Sequence, residues 1–362
     1  MLERLVSSAD QRAITSAVLS LSSRSDIGDR IAASGVPVWN ANANGWRSFS
    51  DIPFSLRKAV AAWKPDVIQG WMYHGNVAAT LLSRFIGRRI PVVWSIRQSL
   101  YDVRKEKPGT QMVIWVGRVL SGTPATTIYN SREAAESHAQ LGFSRQRQVM
   151  IPNGFDCKMF APNPSARARI RRDLAIPDGH LVIGHVARYH PVKGHHLFIE
   201  AAAAVAAKLP AVTFVLAGTD VDSANKELSA VIKGFGLESR VRLLGLRTDI
   251  PDLTAAFDIA VVSSHAESFP NVVAEAMACE VPVVATDVGD CAGIIGDTGV
   301  VCPAGDPSAL ASAILSVAEK SAAERQNLGR EARSRIQTRY GLEQIAQRYW
   351  DVYSFTATQP KL

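Results

Sequence analysis

The sequence predicts an α/β protein made of two doubly wound domains with parallel sheets. Its 362 residues exceed one ordinary domain and suit two. Short apolar runs alternate with amphipathic helical patterns, which is typical of βαβ units. The proline-rich connection Ala161-Pro-Asn-Pro164 indicates a boundary between domains. We therefore expect an N-terminal domain over residues 1–160, a second domain over 161–335, and a C-terminal helix over 336–362 that packs back on the first domain.

The front half supplies the elements of the first domain. Apolar runs predict strands at 13–21, 36–39, 65–70, 91–96, 126–129 and 149–151. Helical patterns between them predict helices at 1–9, 27–34, 52–63, 77–85 and 132–141. A domain of this kind usually begins with a strand and a glycine-rich turn, whereas this chain begins inside a helix. We therefore expect either that the first strand and turn of this domain are missing or that the start of the sequence was assigned too late.

The second half repeats the alternation. Apolar runs predict strands at 181–184, 212–218, 240–249 (with a turn), 258–263, 281–286 and 299–301. Helical patterns are found from 166, at 195–208, from 271, and at 307–319, 323–338 and 342–353. The ligand cleft of such sheets lies at the carboxyl ends of the strands.

Composition excludes several classes of protein. A hydrophobic share of 47% with 20% charged residues is that of a globular enzyme. No run approaches the ~18 apolar residues of a membrane-spanning helix, and the N-terminus resembles neither a signal peptide nor a transit sequence. The four cysteines are scattered without metal-ligand spacing, which favours buried thiols in a reducing compartment. We expect a cytoplasmic protein.

Positive charge is concentrated in the front half. Residues 1–150 carry 19 Lys and Arg against 10 Asp and Glu, a net +9, and the remainder carries −2 of the total +7. Clusters at Arg84/Arg88/Arg89 and Arg104/Lys105/Lys107 suit an anionic membrane leaflet or a phosphorylated acceptor, with a basic face kept for solubility as the alternative. No nucleic-acid-binding signature accompanies the charge, so we expect no nucleic-acid partner.

Two loops carry the chemistry. In the stretch from Ser263 to Ala278, a strand leads through a loop into a helix, with Glu267 in the loop and Glu275 in the helix. Ser268 or Asn271 can cap this helix, whose start attracts a phosphate. Two carboxylates would repel that phosphate unless they accept hydrogen bonds from hydroxyls, and a sugar nucleotide supplies both kinds of group.

The compensating charge is upstream, in another loop between a strand and a helix. Arg188 and Lys193 lie five positions apart there and can converge on one diphosphate, the first by its planar fork and the second as a point charge. Such a pair can stabilise a nucleoside diphosphate leaving group without a metal.

Arg188 with Lys193-Gly194, followed by Glu267-Ser-Phe-Pro-Asn-Val-Val-Ala-Glu275-Ala, resembles the donor site of glycosyltransferase family 4. These are retaining enzymes of the GT-B fold, in which two Rossmann-like domains face each other across a cleft. The resemblance covers nearly the whole chain. It implies that Arg188 and Lys193 hold the diphosphate, that Glu275 binds the ribose hydroxyls and that Glu267 binds the transferred sugar. It further implies backbone contacts to sugar and phosphate around Phe269, Asn271 and Val272, and contacts to the base near Leu246 and Arg247.

Further candidates follow the ends of strands. Gly218 lets the backbone approach the ligand. His74 and Arg97 are candidates for contact with acceptor or sugar, although a helix-capping role for His74 stays open. Many family members carry a histidine where this sequence has Arg97, which puts the usual histidine role in doubt. Asp220-Val-Asp222 spells a metal-binding D-x-D pattern, but such a short match arises by chance, and we expect no metal and no cofactor.

The sequence thus predicts a retaining, metal-independent hexosyltransferase of bacterial surface-polysaccharide type. Its expected donor is a UDP- or GDP-sugar, and its expected acceptor is a cytoplasmic, lipid-linked glycan. Two alternatives stay open, a nucleotide-sugar epimerase or hydrolase and a catalytically silent binding subunit. A dehydrogenase is disfavoured because no G-x-G-x-x-G opens a βαβ unit.

Overall fold

The computed structural model of the chain describes residues 1–7, 14–22, 25–41, 60, 62–85 and 90–358. An N-terminal unit comprises Met1–Gly154 and Leu342–Leu362, and a C-terminal unit comprises Phe155–Gly341. The chain passes between the units after Gly154 and after Gly341, six residues away from the expected boundaries at 160 and 335.

Parallel strands organise the N-terminal unit. Its strands are β1 (Val18–Ser20), β2 (Val38–Asn40), β3 (Ile68–Trp71), β4 (Val92–Ile96), β5 (Thr126–Tyr129) and β6 (Gln148–Met150). Among the described residues, β1 and β2 form a parallel pair, and the others form a parallel sheet in the order β3-β4-β5-β6. Its helices are α1 (Leu2–Ser7), α2 (Asp26–Ala33), α3 (Met72–Phe85), α4 (Pro108–Leu120), α5 (Arg132–Gln140) and, near the end of the chain, α14 (Leu342–Thr358).

Strand β4 shows why the four-stranded sheet is covered on both faces. Trp94 and its alternate neighbours pack into one apolar cluster, whereas Val93 packs into another with Tyr349 of α14. Side chains of a strand alternate between faces, and β4 is buried along its whole length. Helix α14 therefore belongs to the core of the N-terminal unit.

The C-terminal unit has a six-stranded parallel sheet in the order β12-β11-β10-β7-β8-β9. Its strands are β7 (Leu181–Val186), β8 (Val212–Ala217), β9 (Val241–Leu243), β10 (Ile259–Val262), β11 (Val283–Thr286) and β12 (Val300–Cys302). Its helices are α6 (Pro164–Asp173), α7 (His195–Lys208), α8 (Lys226–Gly234), α9 (Ile250–Ala255), α10 (Asn271–Ala278), α11 (Cys291–Ile295), α12 (Pro307–Ala318) and α13 (Ala322–Tyr340). Separate apolar clusters cover its two faces.

Two sequence expectations differ from the structure. Helix α3 begins at Met72, directly after β3, and not at residue 77. It starts early because Asn76 docks on the sheet, where its side chain exchanges hydrogen bonds with the backbone of Ser95. Helix α4 was not among the elements expected from the sequence; it begins with Pro108-Gly109 and has no side-chain N-cap. The helix expected at 52–63 lies largely outside the described residues.

Candidate active site

The loops that carry the predicted donor site meet at the carboxyl ends of β7, β8, β10 and β11. A Cβ atom on Gly218, after β8, would lie 2.0 Å from the carbonyl oxygen of Ala187, after β7. The backbone N–H of His265, after β10, donates to the carbonyl of Val192 at 2.8 Å. The loops of neighbouring strands are thus in backbone contact at the edge where ligands bind to parallel sheets.

Lys193 and Glu267 form the centre of this edge. The Lys193 ammonium lies 2.5 Å from Glu267 Oε1, which also accepts a hydrogen bond from Ser264 Oγ at 2.7 Å. Only 22% of the lysine side chain and 11% of the glutamate side chain are exposed. The two loops that the sequence analysis singled out therefore place a cation and an anion in direct contact.

A buried polar network fixes the backbone of the Lys193 loop. Ser263 Oγ lies 3.0 Å from the carbonyl oxygen of Lys193 and 2.9 Å from that of Gly194, and its proton is directed at these two acceptors. His185 Nε2 lies 3.0 Å from Ser263 Oγ, so we assign the imidazole proton to Nε2, which donates to the hydroxyl. Burial lowers the pKa of His185. This network passes from β7 through β10 to the backbone of the lysine loop.

Gly194 completes the junction between the lysine loop and β10. Its φ is +63°, and a Cβ atom there would lie 2.0 Å from the carbonyl oxygen of Ser263. A left-handed conformation combined with so close a backbone neighbour requires glycine. Sequence reasoning missed Ser263 and His185, and the available signal was a polar residue within or directly after each buried apolar strand.

Arg188 differs from Lys193 in its surroundings. It follows β7 by two residues and is exposed. Within the described part of the chain, no hydrogen bond or ion pair of its guanidinium is recorded. The structure brings Lys193 to Glu267 and leaves the guanidinium of Arg188 directed to solvent at the same sheet edge.

Helix α10 begins differently from the expectation. Its N-cap residue is Pro270, whose side chain has no hydrogen-bonding group, so neither Ser268 nor Asn271 occupies the N-cap position. Asn271 is the first helical residue and is exposed. The N-terminus of a helix presents backbone N–H groups and the positive end of the helix dipole to an anion.

Glu275 lies within α10, one turn beyond Asn271, and is half-buried. It lines a cavity of about 20 Å³ between α10 and the strands β7 and β10, and it is the only charged residue among the described ones that line it. Phe269 is buried against Phe155, with ring centroids 6.1 Å apart, and Val272 is half-buried. The segment from Phe269 to Glu275 thus has a fixed position beside β10.

The remaining expected donor contacts lie at neighbouring strand ends. Leu246 is 74% exposed beyond β9, and Arg247 forms a two-pronged ion pair with Asp249 at 2.8 and 2.5 Å. In the D-x-D segment, Asp222 accepts a hydrogen bond from the backbone N–H of Ala224 at 2.9 Å. Within the described ranges, no group of three potential metal ligands is found.

The candidates of the N-terminal unit have different environments. His74 is exposed in the first turn of α3. Arg97 follows β4, donates hydrogen bonds to Tyr349 and Asn153, and lies 5.2 Å from the centroid of the Trp71 ring. Burial lowers the pKa of Arg97. Its guanidinium therefore ties α14 and the segment before Gly154 to the end of β4, a contact that sequence reasoning did not anticipate.

A buried histidine, His138, also lies in the N-terminal unit. His138 Nδ1 donates to the carbonyl of Ala134 at 2.6 Å, so its Nε2 accepts from the hydroxyl of Tyr73 at 2.9 Å. Burial lowers the pKa of His138 to about 4. The imidazole is therefore a neutral core group.

Two family models match the chain. One, described as Glycosyltransferase Family 4, matches residues 1–159, and the other, described as Glycosyl transferases group 1, matches residues 180–320. Across the parts of the chain that the structure describes, no helix has the length and apolar content needed to span a bilayer.

Curated proteins from several bacteria are similar to the chain. N-acetyl-alpha-D-glucosaminyl L-malate synthase of Bacillus anthracis is 24% identical over 76% of this chain and 71% of its own length. The putative glycosyltransferase EpsF of Bacillus subtilis is 30% identical over 57% of this chain and 53% of its own length. D-inositol 3-phosphate glycosyltransferase of Geodermatophilus obscurus is 33% identical over 51% and 43%. The chain thus spans about half the length of the latter two relatives.

Solved structures resemble the chain over nearly its full length. Anabaena HepE in complex with UDP is 25% identical, with a TM-score of 0.84 over 98% of this chain and 95% of that one. The same protein with UDP and glucose is 26% identical, with a TM-score of 0.80 over the same shares. A glycosyltransferase from Rickettsia africae, 14% identical with a TM-score of 0.82 over 99% and 95%, shares the fold. These likenesses confirm the predicted GT-B fold class.

Proposed function

The chain belongs to the family 4 and group 1 glycosyltransferases, and we propose that it transfers a hexose or N-acetylhexosamine from a nucleotide diphosphate sugar. The observation that carries this proposal is the contact between Lys193 and Glu267, four residues before the start of α10. A sugar diphosphate presents an anion next to neutral hydroxyls. At this sheet edge, the ammonium of Lys193 and the start of α10 can bind the diphosphate, and the carboxylate of Glu267 can accept hydrogen bonds from the hydroxyls.

The proposed residue roles follow from this arrangement. Arg188, Lys193 and the N-terminus of α10 stabilise the negative charge that grows on the leaving diphosphate, in place of a metal ion. Glu267 accepts hydrogen bonds from the transferred sugar, and Glu275 accepts them from the ribose. Backbone groups near Phe269, Asn271, Val272 and Gly218 complete the donor site, with Leu246 and Arg247 beside the base.

The proposed reaction retains the anomeric configuration. The bond between the anomeric carbon and the phosphate oxygen breaks through an oxocarbenium-like state, and the acceptor oxygen bonds to the same face of the sugar. The departing phosphate takes the proton of the acceptor hydroxyl. Nuclear magnetic resonance of the product tests this step, because an inverted anomeric centre would contradict it.

A UDP-sugar is the favoured donor, because solved structures of Anabaena HepE contain UDP and UDP-glucose. The proposed acceptor is a lipid-linked glycan at the cytoplasmic face of a membrane, and the positive net charge of residues 1–150 supports contact with an anionic leaflet. His74 and Arg97 remain candidates for the acceptor side of this reaction.

A thermal-shift panel with UDP, UDP-glucose, UDP-N-acetylglucosamine and GDP-mannose identifies the donor, because binding to the folded state raises its melting temperature. Donor turnover is then measured with and without EDTA for the wild type, Lys193→Ala and Glu275→Ala. Unchanged turnover in both variants would contradict the proposed site. Epimer formation from donor alone would favour an epimerase, and donor binding without turnover would favour a silent binding subunit.

A further inference from the structure

Helix α4 exposes three large apolar side chains to solvent. Met112, Trp115 and Val119 are 49%, 62% and 64% exposed. Their spacing of three and four residues places them on one face of the helix, and we call them the outer stripe. Ile114 and Gly117 of the same helix are buried against the N-terminal unit. The helix therefore has apolar residues on two faces, and one of these faces is covered by the unit itself.

The outer stripe is unusual for a solvated surface. Isolated exposed apolar residues are common, but a tryptophan with two aliphatic neighbours on successive turns forms a continuous patch, and such patches mark interaction sites.

Basic residues flank the outer stripe. Arg104, Lys105 and Lys107 lie directly before α4 and are exposed, as is Arg118 in its last turn. Helix α4 itself contains no carboxylate. Two acidic residues also precede the helix: Asp102 pairs with Arg104, and Glu106 offsets one of the two lysines. Residues 102–107 therefore keep a net charge of +1, and Arg118 adds a second positive charge. The surface thus combines an apolar centre with a cationic rim.

We propose that the outer stripe and its basic rim form a docking surface for an anionic lipid bilayer. Charge complementarity selects this occupant, because lysine and arginine at the rim match lipid phosphates. Tryptophan is suited to the boundary between headgroups and acyl chains, where its ring is apolar and its N–H finds a polar partner. This inference specifies the membrane contact of the proposed function, but it does not depend on glycosyl transfer.

Sedimentation with vesicles tests the docking surface. The full chain is mixed with vesicles of phosphatidylcholine containing about 30% phosphatidylglycerol, the anionic component, or with vesicles of pure phosphatidylcholine. Trp115→Gln is compared with Phe235→Gln, which removes a 45% exposed aromatic from the C-terminal unit. The double variant Lys105→Gln/Lys107→Gln is compared with Lys226→Gln/Lys233→Gln, which removes two exposed lysines of the C-terminal unit.

The wild type and both controls are expected to bind the anionic vesicles. Trp115→Gln should weaken this binding at least about tenfold, because a large side chain is no longer withdrawn from water. The loss of Lys105 and Lys107 should weaken it about fivefold per charge removed. Pure phosphatidylcholine should bind the wild type more weakly than the mixed vesicles.

Three outcomes would overturn the inference. The wild type could fail to bind anionic vesicles, or Trp115→Gln could bind as well as Phe235→Gln. Light scattering could instead show a dimer that Trp115→Gln converts to a monomer, which would assign the outer stripe to a second copy of the chain. Donor turnover is measured in parallel. Turnover without vesicle binding contradicts the docking surface alone, and vesicle binding without turnover contradicts only the proposed function.

Discussion

Replacing Lys193 with methionine separates its proposed catalytic role from its structural one. Methionine retains most of the length of the side chain but removes the ammonium. Two consequences follow, because Lys193 contacts Glu267 at 2.5 Å and, in the proposed function, also stabilises the leaving diphosphate. The first consequence concerns folding, and the second concerns the rate of transfer.

The expected loss of stability follows from the burial of the Glu267 carboxylate. Without Lys193, the carboxylate of Glu267 is left only 11% exposed, and the Ser264 hydroxyl cannot neutralise it. Removing one partner of a buried ion pair costs about 3 kcal/mol, at the lower end of the usual range because the lysine is itself partly exposed. In a unit of this size, that loss lowers the melting temperature by roughly 6–12 °C. Changing Glu267 to glutamine in the Lys193→Met background removes the carboxylate charge and should restore most of this stability.

The catalytic consequence does not recover in the same way. Loss of a cation at the leaving group lowers kcat by about 10²–10³-fold, and an amide at Glu267 cannot replace it. The double variant should therefore be stable but slow. Melting temperature and kcat are measured for both single variants and the double variant, with Lys208→Met as the control, since Lys208 is exposed at the end of the helix that follows Lys193.

A double variant that regains kcat to within about tenfold of the wild type would refute the reasoning, because an effect of that size is smaller than the loss of a leaving-group contact. Lys193 would then serve mainly to hold Glu267. The same conclusion would follow if Lys193→Met and Lys208→Met had equal rates per folded molecule.

Three further predictions concern other parts of the molecule. The pKa of His138 is lowered to about 4 in the folded state, so between pH 6.5 and 4 the unfolded chain binds a proton that the folded chain does not. The free energy of unfolding should therefore fall by about 3 kcal/mol as the pH drops through this window. In urea titrations, His138→Gln should remove this part of the pH dependence. Gly194→Ala forces a Cβ atom against the backbone carbonyl of Ser263, so it should destabilise the protein and reduce donor turnover. Gly179→Ala is the control, because Gly179 also has a positive φ but lies in open space, and its turnover should be unchanged. Equal turnover in the two variants would contradict this prediction. Arg97→Met should cost about 2 kcal/mol and speed hydrogen exchange in α14, because bonds from a buried charged donor are lost. The exposed pair of Arg145 makes Arg145→Met a control with little expected effect, and unchanged exchange in Arg97→Met would contradict the prediction.

Local pattern predicted the fold where one face of an element is buried and the other is not. Helix α7 has the bounds expected at 195–208, because its apolar positions recur at helical spacing between Gly194 and Leu209. Helix α4 was not expected from the sequence, and its burial differs from that of α7. It begins at Pro108 without a side-chain cap, and Met112, Trp115 and Val119 are exposed on a different face from the buried Ile114. Burial therefore does not separate apolar from polar residues in α4, and its exposed apolar face is the one to which we assign a partner.

The sequence predicted which types of residue form the site, but not which of these residues contact each other. The motifs indicated two cations and two acids around one ligand, but Lys193 and Glu267 are 74 positions apart, and their contact depends on how the loops after β7 and β10 meet.

That contact changes the distribution of charge at the site. Lys193 is offset by Glu267, so Arg188 and the start of α10 supply the positive charge that is not already balanced. In the proposed function, the donor then exchanges partners. Its diphosphate binds the ammonium of Lys193, and its sugar hydroxyls donate to the carboxylate of Glu267. Once the ion pair separates, each of the two buried charges has a new partner only when both parts of one ligand are present. A free phosphate meets the first requirement and a free sugar the second, which gives the site a physical reason to prefer the intact nucleotide sugar.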